Sequence, residues 1–129
     1  MFVQIALRKG ESAQVCDRVV DAVKTAIREA LGIDAAGIFV HLTLGSDASK
    51  DIEPCQADEI RAAILIMAAE SLAAARKRRL FGRIAEISSL ELNIAHGQIV
   101  TGIIETPSEN WSNGYGERQW LQYLSYQLP

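Results

Sequence analysis

Residues 1–12 read MFVQIALRKGES, and the way this stretch folds decides how the rest of the chain is arranged. Val3, Ile5 and Leu7 alternate with Phe2, Gln4, Ala6 and Arg8. That is the period of a strand with one buried face. Gly10 ends the strand, and Ser12 is placed to cap a helix by accepting from the orphan N–H groups of its first turn. Val15, Val19, Val20, Val23, Ile27, Ala30 and Leu31 then recur at helical spacing. Gly32 supplies the stop. The helix is therefore expected to run about 20 residues, or about 30 Å. Residues 38–44, IFVHLTL, are short and rich in β-formers, which predicts a second strand. The opening of the chain is a β-α-β unit.

The pattern then returns. Residues 62–67, AAILIM, are apolar and lead to Glu70-Ser71, which match Glu11-Ser12 at a spacing of 59. A helix with Leu80, Phe81, Ile84 and Ile87 on its core stripe is expected next. Residues 99–104, IVTGII, echo residues 38–43 at a spacing of 61. Such a period predicts a duplicated unit. The expected organisation is one domain over residues 1–129, with repeats of about 1–45 and 60–106, a linker at 46–59 and a tail at 107–129. At this length one domain buries a sizeable core. Two β-α-β units of α/β type combine into an α+β layer structure, a four-stranded sheet with two helices on one face. The other sheet face, with Phe2, Gln4 and Ala6, is too apolar to meet water, so a homo-oligomer is expected to cover it. The tail carries Trp111, Tyr115, Trp120, Leu121, Leu124 and Leu128. That much apolar surface predicts an interface.

Composition narrows the functional classes. An apolar fraction of 49%, a charged fraction of 22% and a net charge of −3 are ordinary globular values. They give no reason to expect nucleic acid. The basic run Arg76-Lys77-Arg78-Arg79 reads as a solvated helix face, with no aromatics interleaved for base stacking. Cys16 and Cys55 fit neither a disulfide framework nor a zinc site. No signal peptide is evident, and the longest uncharged run, residues 62–69, is too short to cross a bilayer. The expectation is a cytoplasmic protein with no membrane partner. No P-loop, GxGxxG, catalytic Ser-His-Asp spacing or metal-ligand cluster occurs, so no cofactor and no metal are expected.

The duplicated β-α-β, the opening strand xxVQIxLxxGxS and the closing motif Glu105, Pro107, Glu109-Asn110-Trp111-Ser112, Gly114-x-Gly116 resemble the tautomerase superfamily. Within this superfamily of 4-oxalocrotonate tautomerase-like and malonate semialdehyde decarboxylase-like proteins, the layout is most similar to the double-length branch that includes malonate semialdehyde decarboxylase. The likeness covers nearly the whole chain, and the closing motif is its most specific part. It implies a homotrimer whose sheets form a barrel, with a small pocket at the strand ends. There an amino-terminal proline acts as general base or acid, arginines hold a substrate carboxylate and an aromatic wall lowers the dielectric.

This sequence departs from that pattern at several positions. Met1 stands where the resemblance places the proline, and the bulk of Phe2 predicts that Met1 is retained with a free amine. Glu11 and Glu70 stand where an arginine precedes the helix-capping serine. His41 and Gly102 stand where an arginine comes from the second strand. Trp111 matches the aromatic wall. The expected catalytic residues are therefore Met1, a primary amine able to act as base or nucleophile, and His41, whose side chain suits proton transfer. Phe2, Arg8, Trp111 and Tyr115 are the expected substrate-binding residues, with Arg8 as an anion anchor. The ligand expected is a small carbonyl or carboxylate compound. The activity implied is keto–enol tautomerisation; the alternative is a trimeric binding protein that kept the fold and lost the chemistry.

Overall fold

The computed structural model describes residues 1–8, 10–45, 60–69 and 71–112. Strand β1 (Phe2–Leu7) leads to helix α1 (Ala13–Leu31), a 3-10 turn (Ala35–Gly37) and strand β2 (Phe39–Leu44). Strand β3 (Ala62–Ala68) leads to helix α2 (Ala74–Leu92), a second 3-10 turn (His96–Gln98) and strand β4 (Ile99–Glu105). A third 3-10 turn, Ser108–Asn110, follows. The strands form one sheet in the order β2-β1-β3-β4. β1 and β2 are parallel, β3 and β4 are parallel, and β1 and β3 run antiparallel with Ile5 opposite Ile64. The predicted linker, and the tail from residue 113 on, lie outside the described residues.

Alternation in β1 and β3 decides which side of the sheet is core. Val3, Ile5, Leu7, Ile64, Ile66 and Ala68 are buried and pack into one cluster with Val19, Val23, Ile27 and Leu31 of α1 and Leu80 and Ile84 of α2. The helices lie antiparallel across this face. Arg18 near the start of α1 pairs with Glu91 near the end of α2 at 3.0 Å, and Glu29 near the end of α1 pairs with Arg83 at 2.6 Å. Both pairs are largely exposed, so their contribution is small beside that of the apolar cluster.

The duplication is more regular than the two spacings read from the sequence. The helices, the first two 3-10 turns and strands β2 and β4 all superpose in sequence at a spacing of 61. The facing of β1 and β3 agrees, with Val3 matched to Ile64 and Ile5 to Ile66. The spacing of 59 drawn from Glu11-Ser12 and Glu70-Ser71 is thus corrected. Spacing 61 sets Leu72 against Glu11 and Ala73 against Ser12; Glu70 itself lies outside the described residues. Ser12 caps α1, accepting from the Val15 N–H at 3.1 Å. Ala73 at the head of α2 makes no such bond. There the carboxylate of Glu105, at the end of β4, pairs with Lys77. It is held below the usual carboxylate range by Lys77 first, and also by the Ser71 hydroxyl and the Leu72 N–H. A strand end thereby secures the chain entering α2, where in the first repeat a serine side chain secures α1.

The repeats also differ in the core. The counterpart of the fully buried Ile27 is Ser88, which is fully buried and whose hydroxyl has no hydrogen-bond partner among the described residues. A buried unsatisfied hydroxyl costs about 1–3 kcal/mol. Ser88→Ala is accordingly expected to raise the unfolding free energy by about 1 kcal/mol in urea titrations. A lowered midpoint would show that the hydroxyl does have a partner.

A candidate active site at the head of the first strand

Met1 is built into the sheet rather than standing in front of it. Its amine donates to the Gly37 carbonyl at 2.9 Å, and its carbonyl accepts from the Phe39 N–H at 2.9 Å. These two bonds extend the parallel β1–β2 ladder by one rung opposite Ile38. The side chain follows the facing of Val3 and Ile5 into the core and is 4% exposed. The amine is therefore placed by sheet register, to the accuracy of a backbone atom. Burial lowers its pKa from 8.0 to about 6, because desolvation penalises the ammonium form. Near neutral pH it is predominantly the free base. After donating one hydrogen to Gly37, a neutral primary amine keeps its lone pair and a second hydrogen.

The same end of the sheet receives the close of β4. Phe2 lies opposite Met67, Met67 beside Ile104, and Ala68 beside Glu105. Thr106 continues the ladder, its N–H donating to the Ala68 carbonyl at 2.9 Å. Pro107 and the 3-10 turn Ser108–Asn110 then turn the chain back, and the Trp111 indole N–H donates to the Thr106 hydroxyl at 2.5 Å. Trp111 is thus anchored at the sheet end that holds Met1, two strands away, or about 10 Å at the usual strand spacing. On the uncovered sheet face Phe2 stacks on Phe39 with centroids 5.4 Å apart. The head of β1 is an apolar, aromatic environment around one neutral amine.

The remaining candidates lie elsewhere. His41 is exposed on the uncovered face opposite Gln4, three rungs or about 10 Å along the strands from Met1. It is out of hydrogen-bond reach of the amine within one chain. It borders an open depression of about 500 Å³ lined by Gln4, Ala6, His41, Thr43, Leu65 and Gly102. Arg8 is at the opposite end of β1, about 23 Å from Met1. Its Nε donates to the Ile60 carbonyl at 2.8 Å, and its backbone N–H to the Arg61 carbonyl at 3.3 Å. Arg8, the expected anion anchor, thus stands within one protomer at the end of β1 away from Met1. Tyr115 lies outside the described residues. Met1, Phe2 and Trp111 are brought to one sheet end, while His41 and Arg8 are not.

Sequence reasoning missed the two groups that hold this end in place, Gly37 and Thr106. A parallel β1–β2 pairing could have pointed to the first, since it requires a carbonyl just before β2 to meet the N–H at the head of β1. Thr106 carried no signal, because its role depends on a turn that only the folded chain shows. Among the described residues no group of three His, Cys, Asp or Glu is placed to hold a metal ion. None of their helices is long and apolar enough to cross a membrane.

The amine makes stability depend on pH. Its folded pKa lies below its unfolded value, so between about pH 6 and pH 8 the unfolded chain binds more protons. Unfolding free energy then rises with pH across that window. The full shift corresponds to about 2.7 kcal/mol, which residual solvent contact reduces to about 1 kcal/mol. Urea titrations at both ends of the window are expected to show this rise in the native protein. They are expected to show little of it after amino-terminal acetylation. An equal rise in the acetylated protein would assign the effect to another group.

No protein-family model matches the chain, and no curated protein matches it significantly. Solved structures do match. A malonate semialdehyde decarboxylase (FG41) inhibited by 3-bromopropiolate superposes with a TM-score of 0.78 at 23% identity, covering 95% of this chain and 96% of the other. A fused 4-OT (F6), solved as an asymmetric trimer, superposes at 0.81 and 14% identity over 91% and 94% of the two chains. N1, a member of the cis-3-chloroacrylic acid dehalogenase family, superposes at 0.76 and 16% identity over 100% of this chain and 93% of the other. At these identities the likeness is one of fold: the chain shares the β-α-β fold of these decarboxylase, 4-OT and dehalogenase-family structures.

Proposed function

We propose that the chain is a divergent member of the tautomerase superfamily that interconverts keto and enol forms of a small carbonyl compound, with the Met1 amine as its base. The observation that carries this reading is the desolvated amine set in the sheet ladder at the end where Trp111 is anchored. As free base, the nitrogen lone pair takes a proton from the carbon next to the carbonyl. The resulting ammonium returns a proton to the enolate at oxygen or carbon. A base with pKa about 6 is matched to this cycle, because it is unprotonated at neutral pH yet readily protonated in the transition state. Phe2 and Trp111 supply apolar walls that keep the amine dry. The side chains at this end offer little to a carboxylate: Lys77 is paired with Glu105, and Arg8 is at the far end of β1. An uncharged carbonyl or enol therefore suits this chain's own residues better than a carboxylate does.

The reading includes a homotrimer. Phe39, Val100 and Ile104 are 62%, 50% and 45% exposed on the uncovered sheet face. Further copies of the chain would bury them, as the fused 4-OT of the same fold is trimeric.

A second reading, a non-catalytic trimer, is favoured by one observation. The Met1 amine already spends a hydrogen on Gly37, and the Met1 side chain is part of the core, so the residue has a structural use.

Ketonisation of the enol of phenylpyruvate methyl ester, an uncharged substrate, followed by ultraviolet absorbance, separates the two readings. The native protein is expected to accelerate it, with kcat/KM falling below about pH 6 as the amine is protonated. Amino-terminal acetylation is expected to lower kcat/KM by about 100-fold or more, the usual contribution of a positioned general base. Silence from both the native protein and a Met1→Pro variant would remove the tautomerase reading and leave the second.

A further inference from the structure

We infer that the Met1 nitrogen is also a nucleophile, which binds a small uncharged aldehyde or ketone covalently as a protonated Schiff base whose N–H stays on the Gly37 carbonyl. This rests on the reading that the amine meets a carbonyl ligand at the head of β1, and it adds a covalent bond to the proton transfer proposed there. The observation behind it is the place of the nitrogen in the ladder. Met1 donates to Gly37 at 2.9 Å and accepts from Phe39 at 2.9 Å, as a residue inside a parallel pair does. The acceptor is itself fixed, because the Gly37 N–H donates to the Asp34 carbonyl at 2.9 Å, closing the 3-10 turn before β2.

A peptide nitrogen is planar and carries its own Cα, a hydrogen and the preceding carbonyl carbon. The nitrogen of a protonated Schiff base is planar too, with its Cα, a hydrogen and the carbon of the former carbonyl. The two match group for group. The ladder therefore accepts the adduct without moving Met1: the hydrogen stays on Gly37, and the new carbon takes the position that a preceding carbonyl carbon would hold. That position continues the line of β1 beyond its first rung, away from the core that holds the Met1 side chain. A neutral imine would instead turn a nitrogen lone pair toward the Gly37 oxygen. The hydrogen bond thus selects the protonated form, which is the electrophilic one.

The step balances with one proton from solvent. The nitrogen lone pair forms a C–N bond to the carbonyl carbon, and the π pair of the C=O bond moves to oxygen. That oxygen takes the solvent proton and the amine hydrogen that Gly37 does not hold. It leaves as water when the C–O bond breaks and the nitrogen pair closes the C=N bond. Only a primary amine can do this here, since a secondary amine would have no hydrogen left for Gly37. Attack needs the unprotonated amine, which burial supplies by lowering its pKa to about 6. Lysine amines, at about 10.4, stay protonated at neutral pH. Phe2 and Phe39, stacked on the next rung, favour an uncharged carbonyl over a charged one.

Reductive trapping with propanal and cyanoborohydride at about pH 7 tests this. Cyanoborohydride delivers hydride to the C=N carbon and fixes the adduct as a propyl amine. Trypsin then releases residues 1–8, MFVQIALR, which contain no lysine, so a propyl group on that peptide assigns the bond to Met1. The native protein is expected to be trapped there about 10-fold faster than the same chain unfolded in urea, where the amine has its ordinary pKa of 8.0. Trapping no faster in the native protein than in the unfolded chain overturns the inference. If that native protein still ketonises the enol ester, Met1 acts as a base alone and the proposed function stands. Faster trapping without ketonisation upholds the inference and removes the tautomerase reading. Neither faster trapping nor ketonisation removes both.

Discussion

The antiparallel pairing of β1 with β3 is the constraint on which the rest of the structure depends. Each β-α-β unit alone has one helix and two strands, too little to close a core. Setting Ile5 against Ile64 joins the units into one sheet and places α1 and α2 side by side over it. At the 61-residue spacing Gln4 and Leu65 are counterparts, and they also pair with each other. The local twofold axis therefore passes between them, at the centre of the uncovered face. The same pairing sends the end of β3, and the end of β4 beyond it, to the head of β1, which is how a tryptophan more than a hundred residues away comes to the same end of the sheet as Met1.

The scaffold is symmetric and the candidate site is not. At one end of the sheet the ladder begins with an amine, flanked by Phe2 and closed by Trp111. At the counterpart end, Ala62 and Ala63 take the places of Met1 and Phe2. Gly102 takes the place of His41. The first repeat carries the candidate groups Met1, Phe2 and His41, and at their counterpart positions the second has only Ala62, Ala63 and Gly102. The substitution of Ser88 for Ile27 shows that even the core has drifted between them. Symmetry survives where packing and register demand it, in strand facing and helix length. It is lost where a side chain is free to change.

Holding the amine by backbone geometry has a consequence for function. An active-site side chain on a flexible stem must be oriented by neighbours. A terminal nitrogen in a ladder is oriented by the sheet itself, and its desolvation follows from the same burial that stabilises the strand. Position and basicity thus have one origin. The cost is the loss of stability on acidification argued above.

Much of this was determined by the sequence alone. Strict alternation in residues 2–7, the Ser12 cap, the Gly32 stop and the returning pattern specify two β-α-β units with one buried sheet face, because side-chain periodicity is a local property of strand and helix. Met1, Phe2 and Trp111 were also singled out from the sequence, through the opening and closing motifs, and the fold brings them to one end of the sheet. The true spacing of the repeats was not legible. Glu70-Ser71 imitates Glu11-Ser12 in letters, but α2 begins two residues later than that match implies, with its entry tied by Glu105 from a distant strand. The separation of Arg8 from Met1, by contrast, was already implied by the strand reading of residues 2–8, since residues seven apart on a strand stand about 23 Å apart whatever their chemistry. Only the tertiary structure decided which candidates meet, because strand pairing brings together groups remote in sequence and holds apart groups that are near in it.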